Sequence, residues 1–197
     1  RIVQAGRGVQ AVAVEIIDAM TYVVIYAVIT LAAFSSAITA GLWFLCAERL
    51  LRERITHLPA RLVAASAASL LGAGAFTVWN QSVVMEKVYP LALLGLALTS
   101  WLVLVWIDMR EGRPADRLLT LIAYLVGLTY AVHPAGLLAA PAVAAAVFVK
   151  RAGILLRWRL MAMLPAAFVF GASSFAVVPI RAAFQPYINE SAVSACE

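Results

Sequence analysis

Leu118–Val149, LLTLIAYLVGLTYAVHPAGLLAAPAVAAAVFV, is the stretch whose reading decides the fold. It carries no Asp, Glu, Lys or Arg, and as one helix at about 1.5 Å per residue it would reach roughly 48 Å, well beyond a hydrocarbon core of about 30 Å. Its middle reads Tyr130-Ala-Val-His-Pro-Ala-Gly136. Pro134 lacks a backbone donor and disfavours helix at His133, while Gly136 loosens the other side. Two short helices, Leu118–Val132 and Ala135–Val149, are therefore predicted. Each is near 22 Å, short for a crossing unless neighbours or flanking residues help. The alternative is one long, kinked and tilted helix.

Charge outside this stretch favours the hairpin. Hydrophobic residues make up 64% of the chain, charged residues 13%, and mean hydropathy is +0.96, values that exclude a soluble globular domain. The other charge-free stretches, Ala19–Ala47, Leu62–Met85, Val88–Ile107 and Leu160–Ile180, are each long enough to cross a bilayer. With Leu118–Val149 split, Glu48–Arg61, Asp108–Arg117 and Lys150–Arg159 share one side. They hold eleven of the fifteen basic residues, leaving Arg1, Arg7, Lys87 and Arg181 on the other. By the positive-inside rule the Arg-rich loops face the cytoplasm and both termini face outward. Without the split the asymmetry largely disappears. The predicted class is all-α, a polytopic transmembrane protein of about six spanning or half-spanning helices.

The net charge of +5 and pI near 9.6 follow from basic loops beside anionic lipid, so membrane lipid is the expected partner and no nucleic acid is needed. Cys46 and Cys196 fall on opposite sides, as do His57 and His133. No metal-ligand spacing occurs, and no metal or cofactor is predicted. Residues 1–18, with Glu15 and Asp18 interrupting the apolar run, do not read as a signal peptide. They are predicted to form an amphipathic helix on the outer surface that enters the first span near Thr21. Residues 19–180 form the transmembrane domain and 181–197 an outer tail. Small residues in Ala64–Gly74, AASAASLLGAG, predict a helix packed in the interior.

The unusual polar residues gather on the outer side, foremost in Phe76–Pro90, FTVWNQSVVMEKVYP. Trp79, Asn80, Gln81, Glu86, Lys87, Tyr89, His133, Arg181, Gln185, Asn189 and Glu190 all map to outer span ends or outer loops. Glu86 is the candidate catalytic base, because a carboxylate there can take a proton from an acceptor hydroxyl, and Lys87 can neutralise a departing phosphate. The other reading is a local ion pair at the end of a helix hairpin. Trp79 and Tyr89 fit a binding wall or an interfacial aromatic belt. His133 fits a ligand-binding group at a helix break or a cap that satisfies the break. Arg181 fits a phosphate fork or an arginine snorkelling to headgroups. Asn189 and Glu190 follow two prolines that hold the chain extended, within reach of the other outer loops.

Three pieces, Val78-Trp-Asn-Gln-Ser-Val-Val-Met-Glu-Lys-Val-Tyr89, Gly127-Leu-Thr-Tyr-Ala-Val-His133 and Pro179-Ile-Arg-Ala-Ala183 with Ile188-Asn-Glu190, resemble a known family. It comprises large bacterial membrane proteins similar to the eukaryotic transmembrane protein O-mannosyltransferase, of the GT-C glycosyltransferase class. The similarity runs from about Ala33 to the carboxyl terminus. It implies a GT-C-like enzyme of the bacterial inner membrane that moves a sugar from a polyprenyl-phosphate donor to a hydroxyl on the periplasmic face. Glu86, Lys87, His133 and Arg181 would then line the donor and acceptor cavity.

The chain departs from that family in its first part. Asp-Ser-Gly-Glu-like and His-Pro-Pro-Gly-like motifs do not occur before Ala33, Glu15 and Asp18 stand in another context, and Val132 stands where the family has Asn. The expected reading is the middle of such an enzyme with a replaced or missing beginning, ending before its later spans and soluble portion. The alternative function is a noncatalytic transmembrane subunit, a scaffold that joins protein subunits in a larger membrane complex.

Overall fold

The computed structural model describes residues 2–75, 88–177, 179, 180 and 184. Six α-helices and no strands occur among them: α1 (Ile2–Leu51), α2 (Leu58–Gly74), α3 (Tyr89–Asp108), α4 (Arg113–Val132), α5 (Ala139–Arg151) and α6 (Trp158–Ala172). Short 3-10 turns cover Pro134–Leu138, Ala152–Leu156 and Ser173–Ala176. Five stretches are long and apolar enough to cross a membrane: Ile17–Leu51, Tyr89–Asp108, Arg113–Val132, Pro134–Arg151 and Trp158–Ala176; Leu58–Gly74 is shorter.

Proline punctuates the chain. Pro59, Pro90 and Pro114 stand in the first turns of α2, α3 and α4, where a missing N–H leaves no helical bond unmade. Gly112, just before α4, has φ of +149°, a conformation that a side chain would strain. Pro134 ends α4 as predicted, and the break is longer than the sequence indicates. The chain passes through the 3-10 turn Pro134–Leu138 before α5 begins at Ala139. Helix α4 also starts at Arg113, before Leu118, because the polar first turn is already helical.

The hairpin is formed. Arg49 pairs with Asp108, Arg157 with Asp116, and the Arg151 guanidinium donates to the Met109 carbonyl, so all three Arg-rich segments meet at one end of the bundle. Glu48 accepts a bond from Arg52 at 3.1 Å, and Arg61 Nε lies 2.8 Å from its other oxygen. Hydrogen bonding to Asp116 pushes the Arg157 guanidinium further up, so it remains cationic at any working pH. Beneath these pairs lies a core of Val103, Trp106, Leu119, Ile122, Val147, Ile154 and Leu160. Trp106 Nε1 donates to the Ala115 carbonyl at 3.1 Å, and Arg151 covers the Trp106 ring at 4.9 Å. The Trp106 and Arg151 bonds tie α3, α4 and α5 together at this corner.

Helix α4 makes its most extensive pairing with α6 and also contacts α3, which in turn carries α1. The α4–α6 pairing depends on two glycines. A Cβ on Gly127 would lie 2.1 Å from the Phe168 carbonyl oxygen, and one on Gly171 would lie 2.2 Å from that of Tyr124. Backbones this close need both positions bare, which is how small residues drive association in lipid.

Two expectations change. Helix α1 is continuous from Ile2 to Leu51, so no turn at Thr21 separates a surface-lying segment from the span. The apolar run Ala-Met-Thr-Tyr-Val-Val after Asp18 contains no helix breaker, and helical hydrogen bonding propagates through it. Asp18 and Glu48 are then about 45 Å apart along the axis, so in a helix along the membrane normal Asp18 stands beyond the hydrocarbon core. Helix α2 is not an interior helix. It buries Ala65 and donates from Ser69 Oγ to the Ala40 carbonyl at 2.6 Å, while Val63, Leu70 and Leu71 are 70%, 71% and 77% exposed. Its small residues leave its far face bare because no other described helix packs there.

Candidate functional site

Tyr89 opens α3 and His133 follows the last residue of α4, so antiparallel packing brings both to the end opposite the basic loops. Their rings stand 4.7 Å apart with a 47° interplanar angle, a tilted contact between residues 44 positions apart in the chain. Both residues are partly buried. Pro90, immediately after Tyr89, is buried and anchors the start of α3.

Local chemistry sets the His133 ring. Its backbone is extended, at φ −158° and ψ 135°, as a residue before proline prefers. The His133 N–H donates to the Thr129 carbonyl at 2.9 Å, and its own carbonyl accepts from Gly136 at 2.8 Å. Its Nδ1 accepts from the Ala135 N–H at 3.1 Å, so the side chain caps the 3-10 turn. While Nδ1 accepts, the ring proton belongs on Nε2, and that edge is the one able to donate to a bound group. Capping thus uses Nδ1 and does not engage Nε2.

Thr129, which sequence reasoning passed over, positions this corner. It is 6% exposed and its hydroxyl donates to the Leu125 carbonyl at 2.7 Å. A Cβ on Gly95 would lie 2.2 Å from Thr129 Oγ1, and one on Gly136 would lie 2.6 Å from the Thr129 carbonyl carbon. Thr129 is therefore enclosed by α3 on one side and the His133 turn on the other. Small-residue spacing was the available signal at Gly95, which interrupts a run of larger apolar side chains, whereas Gly136 follows His133-Pro134-Ala135.

Of the predicted site residues, Tyr89 and His133 are the two that the structure brings together. Trp79, Asn80, Gln81, Glu86, Lys87, Arg181, Asn189 and Glu190 lie outside the described residues, as does Gln185. Among the described residues no group of three or more His, Cys, Asp or Glu side chains could hold a metal ion. The arrangement sets the Tyr89 ring against an imidazole at a helix break, at the end of the bundle opposite the basic loops.

No curated protein and no solved structure matches the chain. A family model, Protein O-mannosyl-transferase TMEM260 N-terminal domain, matches residues 9–155. The match begins upstream of Ala33, so the similarity includes most of α1, and it stops short of Pro179–Ala183 and Ile188–Glu190. It spans the whole Phe76–Pro90 junction and the His133 turn. With a match over well more than half of its 197 residues, the chain belongs to the family of the protein O-mannosyl-transferase TMEM260 N-terminal domain.

Proposed function

We propose that this chain forms the membrane core of a GT-C-like glycosyltransferase that takes a sugar from a polyprenyl-phosphate donor at the end opposite the basic loops. The observation that carries the reading is the family match, which covers both the polar junction and the helix break whose histidine meets Tyr89. Positive-inside logic puts that end on the outer, periplasmic face of a bacterial inner membrane, where a flipped lipid-linked sugar would be presented.

In this mechanism Glu86 takes the proton of the acceptor hydroxyl as its oxygen attacks the anomeric carbon. The bond from that carbon to the phosphate oxygen breaks, and Lys87 and Arg181 stabilise the departing charge. His133 donates from Nε2 to the donor or acceptor, and Tyr89 and Trp79 wall the sugar. Asn80, Gln81, Asn189 and Glu190 supply further hydrogen bonds to its hydroxyls.

Turnover of polyprenyl-phosphate mannose onto a serine- and threonine-containing peptide pool by the reconstituted chain tests the assignment. Glu86→Ala and Arg181→Ala are each expected to lose at least about a hundredfold in rate while remaining folded. Unchanged turnover in both would sink the site. A parent chain that is inactive, yet extracts in mild detergent with stoichiometric partner chains, would instead assign it as a noncatalytic scaffold subunit.

A further inference from the structure

At the opposite, basic end, where α4 and α6 begin, an open recess of about 300 Å³ lies between the two helices. Arg113, Arg117, Arg157 and Arg159 line it, and Asp116 is the acidic residue among its lining. Asp116 is already engaged: Arg157 Nη1 lies 2.8 Å from its Oδ1, and Nη2 bonds the other oxygen. Among the described residues no carboxylate pairs with Arg113, Arg117 or Arg159. Arg113 and Arg117 stand four residues apart and therefore share one face of α4. Arg159 approaches from the first turn of α6, its guanidinium 5.5 Å from the Trp158 ring.

Three cations converging on one recess repel one another unless an anion lies between them. Guanidinium forks match phosphate oxygens, each offering paired donors in a fixed plane. Thr120, whose hydroxyl donates to the Asp116 carbonyl, also lines the recess; the rest of the wall is apolar, supplied by Leu160 and Met163, and exposed Leu156 and Trp158 flank it on the approach to α6. A soluble phosphate has no use for such a wall, whereas a lipid lays acyl chains along it below its headgroup. We propose that this recess binds the phosphate headgroup of an anionic phospholipid, with the acyl chains descending along α6. The site lies at the other end of the bundle from Tyr89 and His133 and does not depend on sugar transfer.

Native mass spectrometry of the detergent-purified chain, titrated with phosphatidylglycerol, tests this. The variant Arg117→Gln/Arg159→Gln is expected to bind about thirtyfold more weakly, at roughly fivefold per basic residue beside an anionic headgroup. Arg54→Gln/Arg110→Gln, which removes the same charge elsewhere on the basic end, should stay within about twofold of the parent. Thr120→Phe narrows the recess without changing charge and should weaken binding about tenfold by displacing the headgroup. Phosphatidylcholine should bind far more weakly, and inorganic phosphate should neither bind nor displace the lipid. Equal losses in the two double variants, parent-like binding by both the recess double and Thr120→Phe, or displacement by inorganic phosphate would each overturn the proposal.

Discussion

Helix pairs α4–α6, which run parallel, and α1–α2, which run antiparallel, are both rich in small residues, yet they use those residues differently. In α4–α6, Gly127 and Gly171 sit where the opposing backbone leaves no room for a methyl group. In α1–α2, a Cβ on Gly41, Gly72 or Gly74 would meet nothing within 4 Å. The stretch with the denser small-residue composition, Ala64–Gly74, thus makes the looser contact. Small side chains permit close approach, and whether a neighbouring backbone takes the opportunity depends on which helix lies opposite.

The strongest way to break the contrast is Gly171→Ala or Gly127→Ala. Because the clash is with backbone atoms, relief requires the helices to separate, and a loss of about 3 kcal/mol is expected in detergent unfolding. Gly95→Ala should be milder, at about 2 kcal/mol, since it meets the Thr129 side chain rather than backbone. Trimming that side chain in the double variant Gly95→Ala/Thr129→Ala should recover about half of the loss, read as a non-additive cycle. In α2 the sign reverses: Gly72→Ala fills open space and should stabilise by up to about 1 kcal/mol through helix propensity. Smallest of all, Ser69→Ala removes the bond to Ala40 and should cost about 0.6 kcal/mol. Equal losses at Gly171 and Gly72 would erase the distinction between the two pairs.

Much of the fold was legible in the residues. Charge-free stretches located the spans, Pro134 located the break, and the grouping of arginines required the hairpin that brings Arg151 to Met109 and Arg157 to Asp116. Less of the site was legible. Tyr89 and His133 were singled out separately, one for its place in a polar junction and the other for its helix break. Their contact at 4.7 Å could not be read from either neighbourhood. Thr129 gave no signal by itself, because its importance comes from Gly95 on α3 and Gly136 in the turn closing around it. The unbroken α1 was missed for the opposite reason: Glu15 and Asp18 suggested a boundary, but charges at one face of a helix do not interrupt its hydrogen bonds.

By itself the sequence determined the class, the span positions, the break at Pro134 and the shared side of the basic loops, because each depends on local chemistry or on the solvation of charge near a bilayer. Only the tertiary structure decided which glycines are interfaces, that α2 is peripheral, and that Tyr89 meets His133. It also decided that arginines from α4 and α6 converge on one recess. In lipid, one apolar helix face solvates as well as another, so composition leaves the partners open, and close contacts between distant residues select them.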